Sequence, residues 1–353
     1  MEIEVFTHDG AESFHSSALI DEFSSLIVNK RYYAASSFQL NVSLSNSDIV
    51  HLKPKNCVLI RGVFYVIDDV SIDEKSSDYV AKGVSLFGLL RHRVIWSNFS
   101  LYQKPSYICE QIIRENVTEP TNTNRTISLF SMAVSNLTLA NVQFQNSYGY
   151  VRDEIETLCQ TYDFGFKESA VTAAGPSCLI TFFKGQDKSN WIEFSVSNEM
   201  IISETYEAND YDEATTALIA GEGEGALRTI LTLNDGNTSL ERKELYVDAR
   251  DLQSDGLTTE QYNNSLYTRG ASKLSEKQAV QLLDGDVNIE SELYKYGVDY
   301  DVGDTVSVYS ARFEVSTTKI LTEMQETWDN TGHFLNPTFG KRSPTIADYI
   351  KRK

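Results

Sequence analysis

From Ser37 onward the chain carries strand chemistry that limits what it can become. Phe38, Leu40, Val42 and Leu44 alternate with polar neighbours, the period of two that a strand with one buried face requires. The run CVLIRGVFYVIDDVSID then sets Arg61 and Gly62 between two apolar stretches, the second holding Val63 to Ile67, and this predicts a tight hairpin. YVAKGVSLFGLL from Tyr79 supplies a further strand. Strands joined by short turns pair antiparallel, so an antiparallel barrel or sandwich fits the first hundred residues.

After about residue 98 the period changes. Pro105 sits where a first helical turn tolerates proline, and Ile108, Cys109, Ile112 and Ile113 form one apolar stripe. In YVRDEIETLCQTYDFGF, Val151, Ile155, Leu158, Cys159 and Tyr162 share a helix face opposite an acidic one, and Gly165 is the expected stop. SCLITFFKG from Ser177 returns to strand character. From Arg228, a turn at Asn234, Asp235, Gly236 and Asn237 predicts a second hairpin. Thr258 and Gln261 have capping-box spacing ahead of a helix whose face holds Tyr262, Leu266, Gly270 and Leu274. Strands resume at DTVSVYSARFEV from Asp304. The fold class is therefore α+β and β-rich.

The charge excludes several functions. Thirty-one Lys and Arg against 50 Asp and Glu leave a net charge of −19, so the average surface repels nucleic-acid phosphate and anionic lipid. Residues 341 to 353 are the exception, with Lys341, Arg342, Lys351, Arg352 and Lys353 against Asp348 alone. No stretch approaches the roughly 20 apolar residues of a membrane helix, so no membrane insertion is expected. The acidic start MEIEVFTHDG does not read as a signal peptide. Cys57, Cys109, Cys159 and Cys178 show no CxxC spacing and read as reduced core thiols. Seven N-x-S/T sequons read as a product of the Asn/Ser/Thr-rich composition.

The motifs that suggest chemistry each have a simpler reading. GEGEGALR from Gly221 departs from the G-x-G-x-x-G spacing, and Glu222 and Glu224 repel a phosphate, so a tight or bulged turn is expected. Acidic pairs recur at Asp68 and Asp69, Asp153 and Glu154, Asp210 and Asp212, and Asp299, Asp301 and Asp304, with nothing to single one out as a glycosidase pair. The aspartates of GVDYDVGDTV miss the calcium-loop pattern and read as a turn into a strand. His8, His15, His51, His92 and His333 are scattered, without HExxH or GxSxG. No catalytic, cofactor-binding or metal-ligating residue is named, and no enzyme activity is expected.

A succession of segments resembles the tail-hub family of long-tailed bacteriophages (siphophages), whose fold is shared with the trimeric baseplate hub of contractile tails. They are KGVSLFGLLRHRVI (82 to 95), PSYICEQIIRENV, ETLCQTYDFGF, GEGEGALR, ELYVDARDL, SLYTRGASKL, YGVDYDVGDTVSV and the closing GHFLNPTFGKRSPTIADYIKRK. The resemblance implies two β-barrel-like tube domains per chain with α+β and helical insertions. The expected division is a first barrel at 1–97, an α+β insertion at 98–205, a second barrel from 206–256 with 299–328, a helical insertion at 257–298, and a C-terminal segment at 329–353. It also implies a structural virion protein at the tail tip, made in the host bacterial cytoplasm. As a homotrimer, it would join the sixfold tail tube to a threefold tip, close the channel and open it for DNA ejection. Its implied partners are the distal tail ring protein, the tape-measure protein and the receptor-binding protein of the baseplate, with phage DNA passing unbound. The alternatives are a tail-tip protein with cell-wall hydrolase activity and a host carbohydrate-binding receptor protein. A hydrolase module normally adds a domain of about 100 residues, and no large extra C-terminal domain is expected.

Overall fold

A computed structural model of the chain describes residues 1–73, 77–96, 98–172, 175–288 and 293–340. The basic end, residues 341 to 353, lies outside the described residues.

The first unit is a curved antiparallel sheet. Its strands are β1 (Ile3–Gly10), β2 (Ser13–Ile20), β3 (Ser25–Arg31), β4 (Ser37–Ser43), β5 (Cys57–Ile60), β6 (Val63–Asp73) and β7 (Asp78–Ser85). The alternation seen from Phe38 is realised in β4, where Phe38, Leu40 and Val42 are buried. The hairpin expected at Arg61 and Gly62 joins β5 to β6. Both turn residues have positive φ, 47° and 79°, as a two-residue turn matching strand twist demands. Leu26, Phe38, Leu40, Val58, Tyr65 and Ile67 share one core inside this sheet.

The α+β segment follows, with β8 (Asn98–Gln103), helix α1 (Pro105–Ile113), β9 (Phe130–Met132), β10 (Val142–Ser147), helix α2 (Val151–Tyr162), β11 (Gly165–Ser169) and β12 (Cys178–Phe183). Its core is continuous with one face of the first unit, since Phe6, Phe64 and Phe87 cluster with Ile108, Ile155 and Phe166. Helix α2 ends earlier than expected. Asp163 takes the left-handed conformation and supplies the stop. Gly165 serves another purpose, because a Cβ there would lie 2.2 Å from the Tyr32 ring.

Next come β13 (Glu193–Phe194) and β14 (Ile201–Asn209), then a small unit with β15 (Thr216–Ala220), β16 (Ile230–Leu233), β17 (Glu244–Asp248) and helix α3 (Thr259–Ser275). The chain closes with β18 (Val280–Val287), β19 (Thr305–Ser310), β20 (Val315–Asp329) and β21 (Gly332–Phe339). The second curved sheet runs β14-β18-β21-β20, with β19 pairing the N-terminal half of β20 and β13 beyond it. Phe194, Met200, Tyr300, Val306, Met324 and Phe339 fill it.

Three expectations change here. Residues 230–233 and 244–248 do not form a hairpin: β16 and β17 flank β15 on opposite sides. The apolar β15 takes the central place, and Asn237 ties the connection back by donating from Nδ2 to the Thr215 carbonyl at 3.0 Å. Residues 206–209 share the large sheet with β19 and β20, whereas β15, β16 and β17 form a separate three-stranded sheet. Ala217, Ile219, Val247, Tyr262 and Leu266 form a separate core between the three strands and α3. The helical character expected to 298 ends with α3, and β18 follows as a strand. Finally, the ladders run as an open path from β14 to β2 among the described residues, curved but without closing hydrogen bonds.

Candidate functional site

The polar groups converge where the two curved sheets meet, on β20. Its C-terminal half pairs with β3 on one side, Glu326 opposite Val28, and with β21 on the other, Glu326 opposite Leu335. Glu326 thus stands on a face that its neighbours make apolar, and its side chain is only 7% exposed. A carboxylate there needs partners to offset its desolvation. The Arg61 guanidinium, aimed from the β5–β6 turn, bonds to it, and His333 Nε2 lies 3.4 Å away. Two contacts orient these groups: His333 stacks on Trp328 with ring centroids 4.7 Å apart, and Arg61 lies over the same indole at 5.7 Å.

Ion pairs continue along the seam. Arg31 Nε donates to Glu323 at 2.9 Å, and Lys30 Nζ donates to both carboxylate oxygens of Asp301 at 2.8 Å. Beside them a cleft of about 470 Å³ opens between β3, the β5–β6 turn, β11 and the loop at Tyr296 and Gly297. Burial and nearby carboxylates push the Tyr65, Tyr296 and Tyr300 phenols well above their ordinary range, so they stay neutral. Glu168 reaches into the same region, accepting from the Phe87 amide at 2.8 Å, and burial raises its carboxyl. The cleft offers matched charges in a joint between sheets.

The residues singled out in the sequence are dispersed. Asp68 pairs with Arg91 at 2.8 Å, Asp153 with Arg152 at 2.9 Å, and Asp210 and Asp212 with Lys243 and Lys277. Asp299, Asp301 and Asp304 shape a turn into β19, where Asp304 accepts from the Gln186 amide and pairs with Lys188. GEGEGALR is a turn with Gly223 at φ 97° and a short 3-10 segment at Gly225–Leu227. The four cysteines are buried free thiols, and burial raises Cys57 to about 12. Among the described residues no group of three His, Cys, Asp or Glu side chains is placed to hold a metal, and no helix is long and apolar enough to cross a membrane. Sequence reasoning missed Glu326 and Arg61 as a pair because 265 positions separate them. The one local signal was a glutamate on the apolar side of a strand.

This arrangement of curved sheets is the fold of phage tail proteins. It superposes on the 43 kDa tail protein of prophage MuSo2 from Shewanella oneidensis with a TM-score of 0.57, at 9% identity over 97% of this chain and 98% of that one. The tail protein from Neisseria meningitidis MC58 gives 0.57 at 12% identity, covering 96% of each chain. Prophage tail protein gp18 from Listeria monocytogenes EGD-e gives 0.54 at 13% identity over 100% of this chain and 98% of that one. A comparison with curated protein sequences finds no match. The chain itself belongs to the siphovirus ReqiPepy6 Gp37-like protein family, whose model matches residues 2–341.

Proposed function

We propose that this tail protein is a trimeric hub at the distal tip of a siphophage tail, with a structural and not an enzymatic role. The observation that carries this reading is β20. Its N-terminal half belongs to the second curved sheet through β19, while its C-terminal half is hydrogen-bonded to β3 of the first. One chain thus carries two β-units in fixed relation, and three chains supply six, the number that matches a sixfold tube to a threefold tip. In this reading the first tube domain is residues 1–97, and strands β13, β14 and β18 to β21 form the second. The α+β segment and the small unit with α3 stand outside the ring.

The partners in this reading are two further copies of the chain, the distal tail ring protein, the tape-measure protein and the baseplate's receptor-binding protein. The net charge of −19 supports DNA transit, since like charge keeps phosphate from adhering. Closure of the channel before infection and its opening for ejection would then be movements of the outer units relative to the ring, and the assembled protein resides in the virion.

The test is the solution mass of the purified chain by light scattering across concentration, alone and with the distal tail ring protein. The expected result is a trimer, formed alone or induced by the ring. A monomer at every concentration that also ignores the ring overturns the hub.

A further inference from the structure

Among the described residues, the small unit leaves one face of its sheet uncovered. In the order β16-β15-β17, helix α3 covers the side bearing Ala217 and Ile219, so closely that a Cβ on Gly270 would lie 2.3 Å from Ile219 Cδ1. The opposite side places Leu218 against Tyr246, with Ile230 beside them, and these are 42%, 57% and 47% exposed. Leu227 and Leu240, in the flanking turns, are 90% and 89% exposed. Such a cluster of large apolar side chains marks a contact surface. The unit is acidic. Residues 210–279 hold thirteen acidic against seven basic side chains. Arg228 is committed to Asp248 and the Tyr246 hydroxyl, whereas Glu224 and Glu241 have no ion pair among the described residues.

The direction of β21 points to what covers this face. β21 runs antiparallel to β18 with Phe339 opposite Leu283, and the small unit is rooted where Asn209 pairs with Val280. The strand therefore heads toward that root and stops three residues short of it, about 10 Å at 3.3 Å per residue. The thirteen residues that follow Gly340, KRSPTIADYIKRK, lie outside the described residues and can span about 40 Å. They combine five cations and a single acid with Ile346, Tyr349 and Ile350, which complement an apolar face on an acidic unit.

We propose that residues 341–353 dock, within the same chain, on the outer face of the β15-β16-β17 sheet. Ile346, Tyr349 and Ile350 cover Leu218, Ile230 and Tyr246, and the lysines and arginines meet Glu224 and Glu241. The contact joins two separate sheets of the fold and neutralises the basic cluster on the protein's own surface.

Hydroxyl-radical footprinting reads this directly, because labelling follows side-chain exposure. Three proteins are compared: the full chain, a chain ending at Gly340, and the full chain with Ile346→Ser and Ile350→Ser. Leu218, Ile230 and Tyr246 are expected to label severalfold less in the full chain than in the other two, with no change on dilution, and high salt is expected to weaken the protection. Equal labelling in all three proteins overturns the proposal. Protection that disappears on dilution also overturns it, since the occupant is then a second copy. Neither result depends on the mass measurement that tests the hub.

Discussion

At the residue scale, the seam rests on a carboxylate placed where the sheet would otherwise be apolar. Glu326 is bonded to the Arg61 guanidinium, so removing that partner leaves a desolvated charge. Arg61→Ala is expected to lower stability by about 2 kcal/mol in denaturant titrations, discounted because Arg61 is half exposed. The double change Arg61→Met with Glu326→Leu is expected to recover most of that loss, because it removes the charge as well as its partner. Glu156 gives the molecule a pH dependence. It projects from α2, accepts from the Ala35 amide at 3.1 Å, and burial raises its carboxyl from 4.5 to about 7. Between those values the folded state holds a proton that the unfolded state has released, so stability falls as pH rises from about 4.5 to about 7. Glu156→Gln should flatten that part of the stability–pH curve and raise stability above pH 7, measured by chemical unfolding at several pH values. An unchanged slope would show that the carboxylate is solvated.

At the element scale, local chemistry was readable wherever one segment sufficed to decide it. The β5–β6 hairpin, α1 with Pro105 in its first turn, and the capping box of α3 formed by Thr258 and Gln261 all follow from residues within a few positions of one another. The stop of α2 does not. Gly165 looked like a helix terminator, yet its place is set by Tyr32, a residue 133 positions earlier that needs the room a side chain would fill. Gly270 is a similar case inside α3. Alanine is the better helix former by about 1 kcal/mol, but here its methyl would meet Ile219. Gly270→Ala is expected to lower the thermal midpoint, and adding Ile219→Val, which removes the clashing Cδ1, is expected to restore part of it. Calorimetry of the two variants against the parent separates packing from propensity.

At the scale of the whole molecule, the 70 residues 210–279 enter and leave through Asn209 and Val280, which face each other across the β14–β18 ladder. Paired strand residues lie about 5 Å apart, so an Asn-Gly turn can replace the whole unit. The chain so shortened is expected to keep its strand signature by circular dichroism and to unfold cooperatively at a lower temperature, because α3 no longer covers β10 and α2. Loss of cooperative unfolding would mean that the curved sheets need the small unit in order to fold. Strands β4 to β7, the three helices, the β-rich class, the acidic balance and the resemblance to phage tail-hub proteins were legible in the amino-acid order, since alternation, caps and turns act over a few residues. Tertiary structure alone decided that β16 and β17 flank β15, that β20 serves both curved sheets, and that Arg61 reaches Glu326. Each of these depends on backbone pairing and burial between segments far apart in the chain, where no local pattern carries the information.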